Sequence, residues 1–227
     1  MAEQLVENLV AVPLLSASQD AIFHGDPHAG NLLYSNRTRE LTIIDWALRE
    51  RLGREQRRHL ALLFLMVTLR DPVGTSNEVA ALSQHHISMA STRGRIIRET
   101  VAVFLDDIPA SRLPSGADAM RLLERVAMKG IKFPGSLIML SKVMFTLEGI
   151  LGDIVGADTG MGFTLARHVA QHWLSNRSAF RSPLATRDWL TLQCSALLYT
   201  SRLWVQWQQT MLNRYLTPQS STALKAS

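Results

Sequence analysis

Cysteine is almost absent from the 227 residues: Cys194 stands alone. An internal disulfide and a cysteine-based zinc site are therefore excluded, and a reduced compartment is expected. Lysine is scarce as well. Only Lys129, Lys132, Lys142 and Lys225 occur among the 24 basic residues, and the rest are arginine. Against 19 acidic residues the net charge is +5, yet the arginines are scattered among acids. There is neither a basic stripe interleaved with aromatics nor a nucleic-acid motif, so nucleic acid is not an expected partner. Long uncharged runs are missing too, since none reaches the roughly 18–20 residues that span a bilayer. The first Lys or Arg is Arg37. The basic opening of a secretory signal is thus lacking, and a cytoplasmic location is expected. What remains is an ordinary globular composition, 47% hydrophobic and 19% charged, which excludes wholesale disorder.

Apolar residues at Leu5, Val6, Leu9, Val10 and Leu14 fall on one helical face, with Pro13 expected to kink or shorten the last turn. The run from His24 to Asn31 is rich in turn formers. Leu32–Tyr34 and Leu41–Ile44 then read as a β-hairpin whose second strand ends at Asp45. Everything after Asp45 reads as helix. Leu60–Leu69, apolar nearly all round, reads as a buried central helix. Further helices are expected over Ser76–Ser91, Arg95–Leu105, Ala117–Met128, Gly135–Leu151, Leu165–Leu174 and Asp188–Tyr215, with prolines at the joins. The last of these spaces Leu190, Cys194, Leu197, Trp204, Met211 and Tyr215 in a 4-3 alternation suited to a packing seam. Neither repeats nor low-complexity linkers interrupt the chain, which reads as one continuous domain. It divides into a core over 1–153, a helical extension over 154–216 packed on it, and a flexible tail over 217–227.

Three polar residues stand out. Asp26 and Asn31 lie five positions apart in the turn-rich segment. Asp45 closes the hairpin and is followed by the aromatic Trp46 and the small Ala47. Phosphoryl transfer needs a carboxylate to receive the proton of the attacking hydroxyl, and oxygen ligands for Mg²⁺ bridging the nucleotide phosphates. Asp26 suits the first need, and the Asn31 amide and Asp45 carboxylate suit the second. A polar turn between strands explains Asp26 alone, because Gly-Asp and Asp-Pro are ordinary turn formers. It explains the whole constellation far less well. A metal site built from His24, His28, Asp26 and Asp45 is a further alternative. It would require the two histidines to share a helix face, against Gly25 and Pro27.

The run FHGDPHAGNLLYSNRTRELTIIDWA resembles the catalytic loop (24–31), hairpin and metal-binding segment (45–47) of the UbiB/AarF family of atypical kinases. The family's motifs read His-x-Asp-Pro-His-Pro-Gly-Asn and Asp-Phe-Gly. Lys142 to Gly149 is similar to its Lys…Leu-Glu-Gly helix, so the likeness extends over about Glu3–Asp153. The resemblance implies an α+β, predominantly α-helical fold, the C-terminal lobe of a protein-kinase-like structure with one small β-hairpin. It implies Mg²⁺ and ATP as cofactors, with Asp26 as the catalytic carboxylate and Asn31 and Asp45 as cofactor-binding metal ligands. It also implies a link to ubiquinone-type isoprenoid-lipid metabolism, through a peripheral contact with membrane or isoprenoid lipid. Aminoglycoside- and choline-type small-molecule kinases share His-Gly-Asp and Ile-Asp-Trp, and they predict the same phosphotransferase site.

Departures from the family pattern are specific. Ala29 replaces Pro, and Trp46-Ala47 replaces Phe-Gly. Upstream of His24 there is neither Gly nor Lys, so the nucleotide-covering lobe of a kinase is expected on another polypeptide or an upstream segment, and the chain by itself is expected to be inactive. A non-catalytic interaction module, a pseudokinase, is the contrasting expectation. Among smaller signals, Arg49, Arg51, Arg54, Arg57 and Arg58 read as a solvated face that could attract phosphate or anionic lipid. His85-His86 reads as an exposed pair, Met139 and Met144 as core, and Glu148 as a helix-surface or capping group.

Overall fold

A computed structural model describes residues 1–15, 18–109 and 114–155, with seven isolated positions between 190 and 208. The chain opens with α1 (Ala2–Val6), a π turn over Glu7–Ala11 and α2 (Val12–Leu15). The π turn answers Pro13. Proline has no N–H to continue the ladder and crowds the carbonyl four residues back, so the backbone widens just before it. The Val12 N–H accordingly donates to Glu7 O. Leu5, Val6, Leu9, Val10 and Leu14 are all buried, as their spacing predicts.

Two two-stranded antiparallel sheets follow. β2 (Leu32–Ser35) pairs with β3 (Glu40–Ile43), placing Leu32 opposite Ile43, which is the hairpin expected from the sequence. A second ladder was not expected. β1 (Asp20–His24) pairs with β4 (Arg49–Gly53), so the segment after Asp45 is not wholly helical. Arg-Glu-Arg-Leu-Gly has weak strand propensity, and pairing decides its conformation: Leu52 is buried opposite Ala21, while Arg49 and Arg51 face solvent. The β2–β3 hairpin is thus bracketed by β1 and β4, which tether both ends of the motif.

Five longer helices form the bulk of the described residues. α3 (Arg54–Thr68) buries Leu60, Leu63, Phe64, Met66 and Val67, as a central helix should. α4 (Pro72–Leu82) starts earlier than expected because Asp71 caps it, accepting from Val73 N at 3.0 Å and Gly74 N at 3.1 Å, with Pro72 at the first helical position. It also ends earlier, where Ser83 turns the chain into a polar loop. α5 (Thr92–Asp107), α6 (Gly116–Met128) and α7 (Gly135–Val155) match expectation closely. Ser91 caps α5, and a Ser115–Asp118 box caps α6. α7 buries Leu137, Leu140, Val143, Met144, Leu147 and Leu151, and it packs on α1, α6 and β4.

One reading of the arginine cluster is corrected. Arg57 is 0% exposed. Its guanidinium donates to the carbonyls of Pro13, Ser18 and Gln19, clamping the chain that leads into β1. Burial pushes its pKa down, Arg54 adds to that, and Asp20 opposes it. Leu190, Cys194, Leu197 and Trp204, positions of the expected packing seam, are helical and exposed, as are Gln193, Ser201 and Gln208. The helix expected at 165–174, the other residues of 188–215 and the tail lie outside the described residues. Among the described residues, no helix is long and apolar enough to cross a membrane.

Candidate functional site

β1 ends in His24, and this buried residue (1% exposed) organises the motif. The Asp26 N–H donates to His24 Nδ1 at 3.1 Å. Nδ1 therefore carries no proton, and Nε2 donates to Ile44 O at 3.1 Å. With both ring nitrogens committed to the backbone, His24 cannot serve the alternative His-ligated metal site. Trp46 meets the His24 ring edge-on, with centroids 4.9 Å apart, and its indole N–H donates to Ile43 O. Gly25 is required by proximity. Its N–H donates to Leu48 O at 2.9 Å, and a Cβ there would lie 2.9 Å from Leu48 Cγ and 3.2 Å from Leu48 O.

Asn31 is also buried, at the end of a 3₁₀ turn (Ala29–Asn31). Its side-chain NH₂ donates to Asp26 O at 3.1 Å, and its carbonyl accepts from Ile44 N at 3.0 Å. A closed set of four bonds thus joins Asp26, Asn31, Ile44 and His24, and it draws the loop and the segment after β3 onto one rim. Asp45 follows Ile44 directly. It adopts φ 58°, the left-handed region that Asp and Asn enter more readily than other side chains, and its Oδ1 accepts from Ala47 N at 3.3 Å. The structure brings Asp26 and Asn31 into direct contact and ties both to Ile44, and Asp45, the next residue, lies on an exposed turn.

Sequence reasoning did not place Lys142 here. From the middle of α7 its Nζ reaches Asp26 Oδ1 at 3.0 Å, across 116 residues of sequence. That hydrogen bond holds the Asp26 carboxyl below its ordinary value of 3.8; burial opposes it, and the charges of Lys142 and His28 reinforce it. The available signal was the rarity of lysine together with the family-like helix around Lys142. Glu148, one of that helix's motif residues, pairs with Arg121 of α6 at 2.5 Å and links the two helices.

A titration checks the contact. The Asp26 carboxyl is expected to titrate below 3.8 and to move back toward that value in Lys142→Met, read by carboxyl ¹³C shifts. A depressed pKa gives stability that is present above the unfolded value and lost as pH falls through the folded one. Any loss therefore falls below about pH 3.8, and it is small because the pair is solvent-exposed. An unmoved Asp26 titration in the variant would show that the contact is absent in solution.

The donor set fits Mg²⁺ in kind. Because the Asn31 nitrogen is spent on Asp26 O, its Oδ1 is left over, and Asp45 has a second oxygen beyond the one bonded to Ala47 N. Both are hard oxygen donors, and Mg²⁺ characteristically takes one or two of these and completes its shell with water and phosphate. Among the described residues, no group of three or more His, Cys, Asp or Glu side chains could hold a metal ion.

The fold is α+β and mainly helical, as expected for a kinase-like build. More particularly, residues 1–78 match the family model of the ABC1 atypical kinase-like domain, in agreement with the UbiB/AarF resemblance of the motif. The match takes in the loop, both sheets, α3 and part of α4. No significant match was found among curated proteins or among solved structures.

Proposed function

We propose that Asp26, Asn31 and Asp45 form a Mg–ATP site used for phosphoryl transfer or ATP hydrolysis in ubiquinone-type isoprenoid-lipid metabolism. The supporting observation is the closed hydrogen-bond set through His24 and Asn31, which joins Asp26 and Asn31 to Ile44, the residue just before Asp45. Asp26 receives the proton of the attacking hydroxyl or water. Lys142 keeps its carboxylate ionised and aimed. A depressed pKa makes Asp26 a weaker base, which phosphoryl transfer tolerates, since positioning contributes more there than proton abstraction. Asn31 Oδ1 and Asp45 would hold the cation, which supplies charge neutralisation at the phosphates. Ile44, Trp46 and Leu48, between 39% and 42% exposed beside Asp45, offer an apolar rim for a nucleotide-covering lobe.

Calorimetry with ATP, in Mg²⁺ or in EDTA, tests this on the full chain, alone and with an upstream lobe supplied. Binding that requires Mg²⁺ is the expected result. Asp26→Asn should lower turnover by about 10²–10⁴-fold with nearly unchanged affinity, because a base acts in the transition state. The exposed apolar rim and the Trp46-Ala47 exchange also favour a second reading, a pseudokinase interaction module. Silence toward ATP in both settings would select it.

A further inference from the structure

Away from the rim, the loop after α4 meets the turn between α6 and α7 around a cavity of about 130 Å³. Arg93, Lys132, His85 and Ser83 line it, over an apolar floor that includes Ile87 and Ile131. Its walls are pinned by hydrogen bonds. The Gln84 N–H donates to Lys132 O at 2.8 Å, and Ser83 Oγ lies 2.6 Å from both Ala80 O and His85 O. The loop carrying His85 and the turn carrying Lys132 are therefore tied by backbone beside the cavity.

The charge of the lining is of one sign. No Asp or Glu lines the cavity. Arg70, Arg121, Arg125 and Lys142 are each bonded to a carbonyl or carboxylate. The side chains of Arg93, Lys132 and His85 make no ion pair or hydrogen bond among the described residues. Arg93 also sits in the first turn of α5, which carries no acid. A cation there opposes the partial positive charge of the helix N-terminus, and a bound anion relieves both. The volume approaches the roughly 150 Å³ of a cavity that takes a benzene-sized guest, enough for a tetrahedral oxyanion.

We propose that this cavity binds the phosphate group of a phosphomonoester, held by Arg93 and Lys132 with His85 as an additional donor. Arg offers a planar fork and Lys a point charge, a pairing suited to phosphate oxygens. The ester could be a soluble metabolite or a lipid headgroup, and the phosphate contact is common to both. The site is independent of the Asp26 rim and needs neither metal nor nucleotide.

Inorganic phosphate is titrated into the ¹⁵N-labelled full chain without Mg²⁺, at ionic strength held constant with chloride. Saturable shifts are expected at Arg93, Gly130 and Lys132. Arg93→Gln and Lys132→Gln should each weaken binding by about tenfold, the scale of a lost charged hydrogen bond. Both side chains are exposed, so thermal unfolding should be unchanged and loss of binding is not loss of fold. Glycerol 3-phosphate and phosphatidic-acid vesicles form the second stage. Tighter competition by the former assigns a soluble ester, and variant-sensitive co-sedimentation with the latter assigns a headgroup. Shifts that never saturate, or that persist unchanged in both variants, overturn the proposal.

Discussion

Asp45→Asn is expected to weaken Mg²⁺-dependent ATP binding by about 10–100-fold, the range seen when a ligating shell is perturbed, while leaving thermal unfolding nearly unchanged. The substitution is well matched to its site. Asn tolerates the left-handed backbone that Asp45 holds at φ 58°, and its side-chain oxygen can still accept from Ala47 N as Asp45 Oδ1 does at 3.3 Å. What disappears is the negative charge. Asp45→Ala makes the contrast, because it loses the turn bond as well and keeps a strained backbone. It should cost stability on the order of 1–2 kcal/mol in addition to affinity. Calorimetry with Mg–ATP and thermal melts on the same two proteins separate the two effects. If the Asn variant binds Mg–ATP as tightly as the parent, Asp45 is a turn residue and the cation must be held elsewhere.

Local pattern carried much of this molecule. The hairpin announced itself through two short apolar runs flanking polar residues, and it formed with Leu32 opposite Ile43. α5, α6 and α7 were legible because capping residues, apolar stripes and prolines agree on where each begins and ends. The pairing of β4 with β1 was not legible, since Arg49–Gly53 has no strand signature of its own and depends on a partner more than twenty residues earlier. The candidate rim divides in the same way. Spacing within a continuous motif singles out Asp26, Asn31 and Asp45 as candidates. Lys142 reaches Asp26 only because α7 packs back against β4 and α1, a tertiary fact that no local window contains. His24 is visible as a motif residue, yet its role as a bridge between Asp26 N and Ile44 O depends on the fold that brings Ile44 back to it.

Arg57 shows a signal that was present and misread. Positions 57, 60, 64 and 67 repeat at helical spacing, and Leu60, Phe64 and Val67 are all buried. The same stripe places Arg57 inward, although the neighbouring Arg54 and Arg58 make the segment look like a charged face. Its guanidinium holds the carbonyls of Pro13, Ser18 and Gln19, joining α3 to the stretch between the first helix and β1. Arg57→Met keeps much of the volume but removes the donors. Buried acceptors left without partners cost about 1–3 kcal/mol each, and partial relaxation toward water reduces the sum. A net loss of about 2–5 kcal/mol is therefore expected. For a chain of this size that corresponds to roughly 4–20 °C in melting temperature, at about 2–4 °C per kcal/mol. Arg57→Lys should fall between, because one ammonium cannot reproduce a fork that reaches several carbonyls. Arg54→Gln, at an exposed neighbouring position, should stay within about ±0.5 kcal/mol. Chemical denaturation of the three variants checks the order. Equal stabilities for Arg57→Met and Arg54→Gln would return Arg57 to the solvated face and remove the clamp between α3 and the entry to β1.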